Sequence, residues 1–107
     1  MTETYSLIRR AILEKAIVTA RYRGHLREMC PHVIGHKRGK PKVLLYQFGG
    51  TSSSGLGAIG SHENWRCAFV DELEDVVVRL ANGSWCSADD YSLKQSCIDD
   101  IDVAVAV

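Results

Sequence analysis

Leu7, Ile8, Ala11 and Ile12 fall at i, i+1, i+4 and i+5, gathering four apolar side chains on one stripe of a helix with Arg9, Arg10, Glu14 and Lys15 opposite. The spacing predicts a helix over about residues 4–14, with Thr2, Thr4 and Ser6 all able to cap its start. Three turns are marginal alone, so the stripe must lie on something apolar. From Ala16 the pattern changes: Ile17, Val18, Thr19 and Tyr22 read as a strand, Arg23-Gly24-His25 as a turn, and residues 26–36 as a second strand-like run. Pro31 cannot donate to a ladder and marks an edge, a bulge or a strand end. A basic turn, Lys37-Arg38-Gly39-Lys40-Pro41, leads into a third run over residues 42–48.

Residues 49–64 hold five glycines and no periodicity, a loop long enough to be either a flap over a site or a slack connection. Strand-like runs come next at 65–71 and 75–80, then an Asn82-Gly83 turn and a polar, ambiguous segment over 87–97. Ile98, Ile101, Val103, Val105 and Val107 alternate as a last strand. The pattern therefore predicts one domain over residues 1–107, mainly β with one N-terminal helix, its strands over about 16–80 and a C-terminal extension over 84–107. Apolar residues at 46% and charged residues at 24% fit a self-folding globule. With neither a signal peptide nor a membrane-spanning run, the expected setting is the cytoplasm, no membrane partner is expected, and Cys30, Cys67, Cys86 and Cys97 are expected as reduced, mostly buried thiols.

Charge changes this picture most. The formal net charge is +0, yet residues 1–66 carry 11 bases and 4 acids while residues 67–107 carry 2 bases and 9 acids, so the halves are +7 and −7. Within residues 15–42, eight bases face one acid, Glu28. Either a basic face awaits an anionic partner, or the halves neutralise each other by packing.

Three motifs yield to context. Residues 55–60 spell G-x-G-x-x-G, but the run from Asn64 onward reads as strand, so no pyrophosphate-binding helix is expected. His25, Cys30, His32 and His36 lack the paired spacing of a zinc site and are expected as surface histidines of a basic hairpin, with no metal. Asp89-Asp90 and Asp99-Asp100-Asp102 read as a solvated acidic face. No nucleophile elbow, metalloprotease helix or framed carboxylate pair is present, so no catalytic residue and no cofactor is assigned. Basic residues interleaved with aromatics remain: Tyr22, Arg23, Arg27, Tyr46, Trp65 and Arg66. Arginine forks grip phosphate or carboxylate and aromatic faces stack on bases, although the same aromatics could fill a core.

The order of an Ala11-Ile12 helix, a strand closing on Tyr22, Arg27 ahead of Pro31, a turn at Gly39, an apolar strand, and Arg66 ahead of Asp71-Glu72-Leu73 resembles the WYL-domain family over about residues 7–80. Here the family's Trp-Tyr-Leu is Val43-Leu44-Leu45, and Glu72 stands where a basic residue is expected. The resemblance implies a small Sm-like or SH3-like five-stranded β-barrel and a stand-alone ligand-binding or regulatory module of bacterial type, with Arg27 and Arg66 as ligand contacts. Combined with the interleaved residues, the expected site is Arg27, Arg66, Tyr22, Tyr46 and Arg23, and the expected ligand a nucleotide or single-stranded nucleic acid. No helix-turn-helix is present to read DNA sequence. The alternative is a protein–protein or homodimer module without a small ligand, using the C-terminal alternation as a pairing edge.

Overall fold

A computed structural model describes residues 2–106. Helix α1 (Glu3–Glu14) begins where the Thr2 hydroxyl accepts the Tyr5 N–H at 3.2 Å, and it stops at Lys15, whose left-handed backbone (φ 50°) turns its N–H onto the last carbonyls. Tyr5, Ile8, Ala11 and Ile12 are buried, so Tyr5 joins the stripe and Leu7, predicted to lie on it, faces outward.

Six strands come after the helix: β1 (Ile17–Tyr22), β2 (His25–Lys37), β3 (Lys40–Gly50), β4 (Trp65–Phe69), β5 (Leu73–Arg79) and β6 (Asp100–Ala104). They form one antiparallel sheet of order β4-β3-β2-β1-β5, with β6 added to β2. This corrects the count of five, because the C-terminal extension supplies a strand. The sheet is not closed: a single 3-10 turn (Val70–Glu72) carries the chain from β4 to β5, and these two end strands do not pair. With every pairing antiparallel, residues 55–60 have no βαβ unit in which to hold a pyrophosphate.

Strand β2 organises the sheet. Its residues 25–29 pair with β1, residues 33–36 pair with β6, and β3 runs along the other side. Pro31 sits between the two shorter partners, beside a bulge in the β3 ladder, where its missing N–H leaves no ladder position empty. Gly35 lets β6 close in, since a Cβ there would overlap the Asp100 carbonyl. Val107 of the predicted alternation lies outside the described residues. Ile101 and Val103 of that alternation pair with β2 of the same chain, and Val105 donates its N–H to the His32 carbonyl.

The two faces of the sheet are covered differently. One packs on α1 through Val18, Ala20, Met29, Ile34, Val43 and Leu45 against Tyr5, Ile8 and Ile12. Each fully buried aliphatic side chain there contributes about 1.5–3 kcal/mol. The other face, around Val33 and Leu44, is covered by the C-terminal segment through Cys97, Ile98 and Tyr91. That segment is fastened by a Cys67–Cys97 disulfide across 30 residues, which corrects the expectation of four reduced thiols. The two cysteines meet because β4, at the sheet's edge, is where the segment docks, a proximity that spacing along the chain does not show. Cys30 and Cys86 are free thiols.

Candidate functional site

On β2, β3 and β4 the core-facing positions alternate with period two, and beyond Met29, Leu45 and Ala68 the next such positions are Arg27, Gln47 and Arg66. The apolar core thus ends in a polar cluster. Arg27 is 5% exposed, Gln47 is fully buried, and Arg66 is half-buried. The Gln47 side-chain carbonyl accepts from both arginines, from Arg66 Nε at 3.1 Å and from Arg27 Nη1 at 3.4 Å. Its amide is held in place by donating to the Gly49 and Thr51 carbonyls.

Arg27 also donates to the Tyr22 carbonyl at 3.1 Å and lies over the Tyr22 ring, while its buried Nε–H has no partner among the described residues. Arg66 donates to the carbonyls of Gly55, Glu63 and Trp65, tying β4 to the glycine-rich loop. Among the described residues neither arginine has a carboxylate within 4 Å. Burial lowers the Arg27 pKa, Arg66 lowers it further, and burial lowers that of Arg66. Two like charges therefore share one neutral acceptor in a partly dry setting.

The other expected site residues do different work. Arg23 is exposed and pairs with Glu72 at 3.1 Å, so the acid standing where a phosphate would be repelled is matched by its own partner. Tyr22 and Tyr46 are buried, and the expectation that their rings stack on a ligand is corrected: each ring packs inside. The Tyr22 hydroxyl accepts the Phe69 N–H, and the Tyr46 hydroxyl donates to the Ser61 carbonyl and accepts the Gly60 N–H. Residues 51–61 are consequently pinned from beneath by Tyr46, Arg66 and the buried Asn64, whose amide bonds the backbone of Gly57 and Ala58. Neither Gln47 nor Asn64 is among the site residues expected from the sequence.

The histidines do not assemble a site from His25, Cys30, His32 and His36. His32 is buried rather than on the surface, packed against Trp65, Trp85 and Tyr91. Its Nδ1–H donates to the Cys30 carbonyl and its Nε2 accepts the Ser87 hydroxyl, both at 2.8 Å. Burial lowers its pKa to about 4, so it is neutral at pH 7. A different group could hold a cation: His62, Asp89 and Asp90 bring ligand atoms within 4.8 Å of one another, all on the exposed surface. His62 has a raised pKa there, chiefly from its hydrogen bond to Asp89.

On the second face lies a cavity of about 450 Å³ lined by Lys42, Leu44, Trp65, Tyr91, Lys94 and the Cys67–Cys97 bridge, among others. Nearby, Phe69 is ringed by the cations of Arg23, Lys40 and Lys42, the last 4.6 Å from its centroid. Of the eight bases in residues 15–42, only Arg23 has a carboxylate partner within 4 Å among the described residues. The two halves do meet, through Arg9–Asp102, Arg23–Glu72 and Arg79–Glu28, but these pairs leave the basic stretch largely uncompensated.

No family model, curated protein or solved structure matches this chain.

The chemistry on offer is therefore read from the side chains themselves. Uncompensated guanidinium groups beside a backbone-rich loop attract anions, and nothing in the cluster supplies a nucleophile. Among the described residues no helix is long and apolar enough to cross a membrane.

Proposed function

We propose that this chain is a single-domain, WYL-like ligand-binding or regulatory module that recognises an anionic ligand, a nucleotide or a short single strand, through a basic face. Arg66 meets the ligand at the surface, Arg27 reinforces the potential from behind, and Arg23 lies on the rim. One observation carries this reading: Arg27 and Arg66 converge on Gln47 with, among the described residues, no carboxylate within 4 Å of either. A cost of that kind is offset when an anion arrives. The barrel reading is supported by the strand path, whose two ends, β4 and β5, are joined by one 3-10 turn.

A binding role rather than catalysis is supported by the Ser87–His32 hydrogen bond, the one Ser–His contact among the described residues. Its imidazole, with a pKa of about 4, is too weak a base to activate a hydroxyl at neutral pH. The module needs no metal or cofactor for this role. A cytoplasmic setting agrees with a disulfide when that bond is redox-responsive, since lasting disulfides belong to oxidising compartments.

Fluorescence anisotropy with short single-stranded oligonucleotides at low and moderate salt tests the proposal. Binding that weakens steeply with salt and is lost in Arg27→Ala plus Arg66→Ala, with the circular dichroism of the fold retained, is the expected result. Absence of binding at low salt, or binding indifferent to both substitutions, overturns it. A homodimer is favoured by a separate feature: β5 is an unpaired edge carrying exposed Val77 and, just beyond it, Leu80. Light scattering decides that reading, which fails if the chain is monomeric at high concentration.

A further inference from the structure

The cavity on the second face meets the Arg27–Gln47 cluster only at Arg66, and the rest of its lining has the makings of a separate site. Its wall is built from residues 90–97, a segment with no helix or strand that is nonetheless fixed at several points. The disulfide holds Cys97 to β4, and Lys37 Nζ donates to the Ser96 carbonyl at 2.6 Å. Trp65 Nε1 donates to Asp90 at 2.8 Å, and the Tyr91 hydroxyl donates to the Val105 carbonyl at 3.2 Å. Gln95 brackets the Ile98 backbone with both ends of its amide. A wall so restrained gives a preformed pocket, whose occupant need not spend its own binding energy on ordering the chain.

The lining has two parts. Trp65 and Tyr91, whose rings stack with 5.9 Å between centroids at 28°, join Leu44 in offering aromatic and apolar surface. Lys42 and Lys94 contribute positive charge, while Asp90, the acid in the lining, has an oxygen occupied by the Trp65 indole N–H. Ser92 and Ser96 add polar groups at the same wall. A volume of about 450 Å³ falls within the range of small-molecule sites and is too small for a protein segment of any length.

We infer that this cavity binds a planar aromatic anion of nucleoside monophosphate size, its ring against Trp65 and Tyr91 and its anionic group held by Lys42 and Lys94. Arg66 of the basic face also borders the cavity, and the site goes beyond that face through Lys42 and Lys94, which take no part in the Arg27–Gln47 cluster. Whether the anion is phosphate or carboxylate is the shared chemistry of one class, and two probe sets separate them.

Isothermal titration calorimetry on the full chain uses adenosine and uridine monophosphates, the matching nucleosides, inorganic phosphate, and indole-3-acetate as the aromatic carboxylate. At least one aromatic anion is expected to bind about tenfold tighter than either its neutral counterpart or phosphate. Lys94→Ala and, as an independent variant, Lys42→Gln should each weaken that binding several-fold. Trp65→Phe should weaken it less, and Arg27→Ala should leave it within twofold. Binding that matches inorganic phosphate, or that falls with Arg27→Ala and not with either lysine variant, overturns the cavity site while leaving the basic-face reading in place. Silence of every aromatic anion against the wild-type chain overturns it as well, whatever the oligonucleotide titration shows.

Discussion

The helix and strands of residues 3–79 and the irregular segment of residues 80–99 cover opposite sides of the same sheet, yet they are held by different physics. The first owes its place to many apolar contacts and a continuous ladder, so no single hydrogen bond decides its position. The second has no ladder: beside the small apolar cluster of Cys97, Ile98 and Tyr91, one disulfide, the Ser87–His32 bond, the Lys37 and Gln95 contacts and the Trp65–Asp90 bond carry it. Burial is distributed over the first region, whereas the irregular wall adds to its small apolar cluster a few named bonds that one reagent or one proton can break.

Cutting the distributed region gives the largest expected effect. Leu45→Ala empties a fully buried site beneath α1 and should cost about 2–5 kcal/mol in urea unfolding. Reducing Cys67–Cys97, or replacing both cysteines with serine, should cost about 2–4 kcal/mol. Here the two regions should part company: amides of residues 88–98 exchange faster while β1, β2 and β3 stay protected. Uniform loss of protection would erase the distinction.

Acid is the subtler probe of the same segment. The buried His32 has a pKa of about 4 against an ordinary 6.5, so between those values the unfolded chain binds the extra proton. Its contribution is intact above about pH 6.5 and declines as pH falls toward 4, by about 3 kcal/mol in total. His32→Gln should flatten that limb of a stability–pH curve, and an unchanged limb would exclude His32 as its source. At the small end, Arg23→Ala breaks an exposed pair with Glu72 and the cation contacts to Tyr22 and Phe69, and should move the melting temperature little.

The same division governs what the sequence discloses. Helix α1, the two tight turns and the runs that form β1–β5 are written in periodicity, and even Pro31 marks the place where the β2 ladder is interrupted. The docking of residues 80–99 is not, because it depends on side chains far apart in sequence, such as Cys67 with Cys97 and His32 with Ser87. Within the site, Arg27 and Arg66 are legible as bases near aromatics, but their meeting point is not. Gln47 does leave a trace: it is a polar residue in phase with Val43 and Leu45, at a position where the core pattern calls for an apolar one. Tyr22 and Tyr46 mislead because a buried ring and a stacking platform look the same in sequence.

The measurement closest to the central claim is the slope of log affinity for a short single strand against log salt, taken for the wild-type chain, Arg27→Gln and Arg66→Gln. Each neutralised phosphate contributes about −0.7 to that slope on single strands. Contact through the Arg27–Arg66 cluster predicts a negative wild-type slope that becomes shallower by about one such step in Arg66→Gln, with weaker affinity in Arg27→Gln. A slope that neither substitution alters would contradict the assignment of the basic face to this pair.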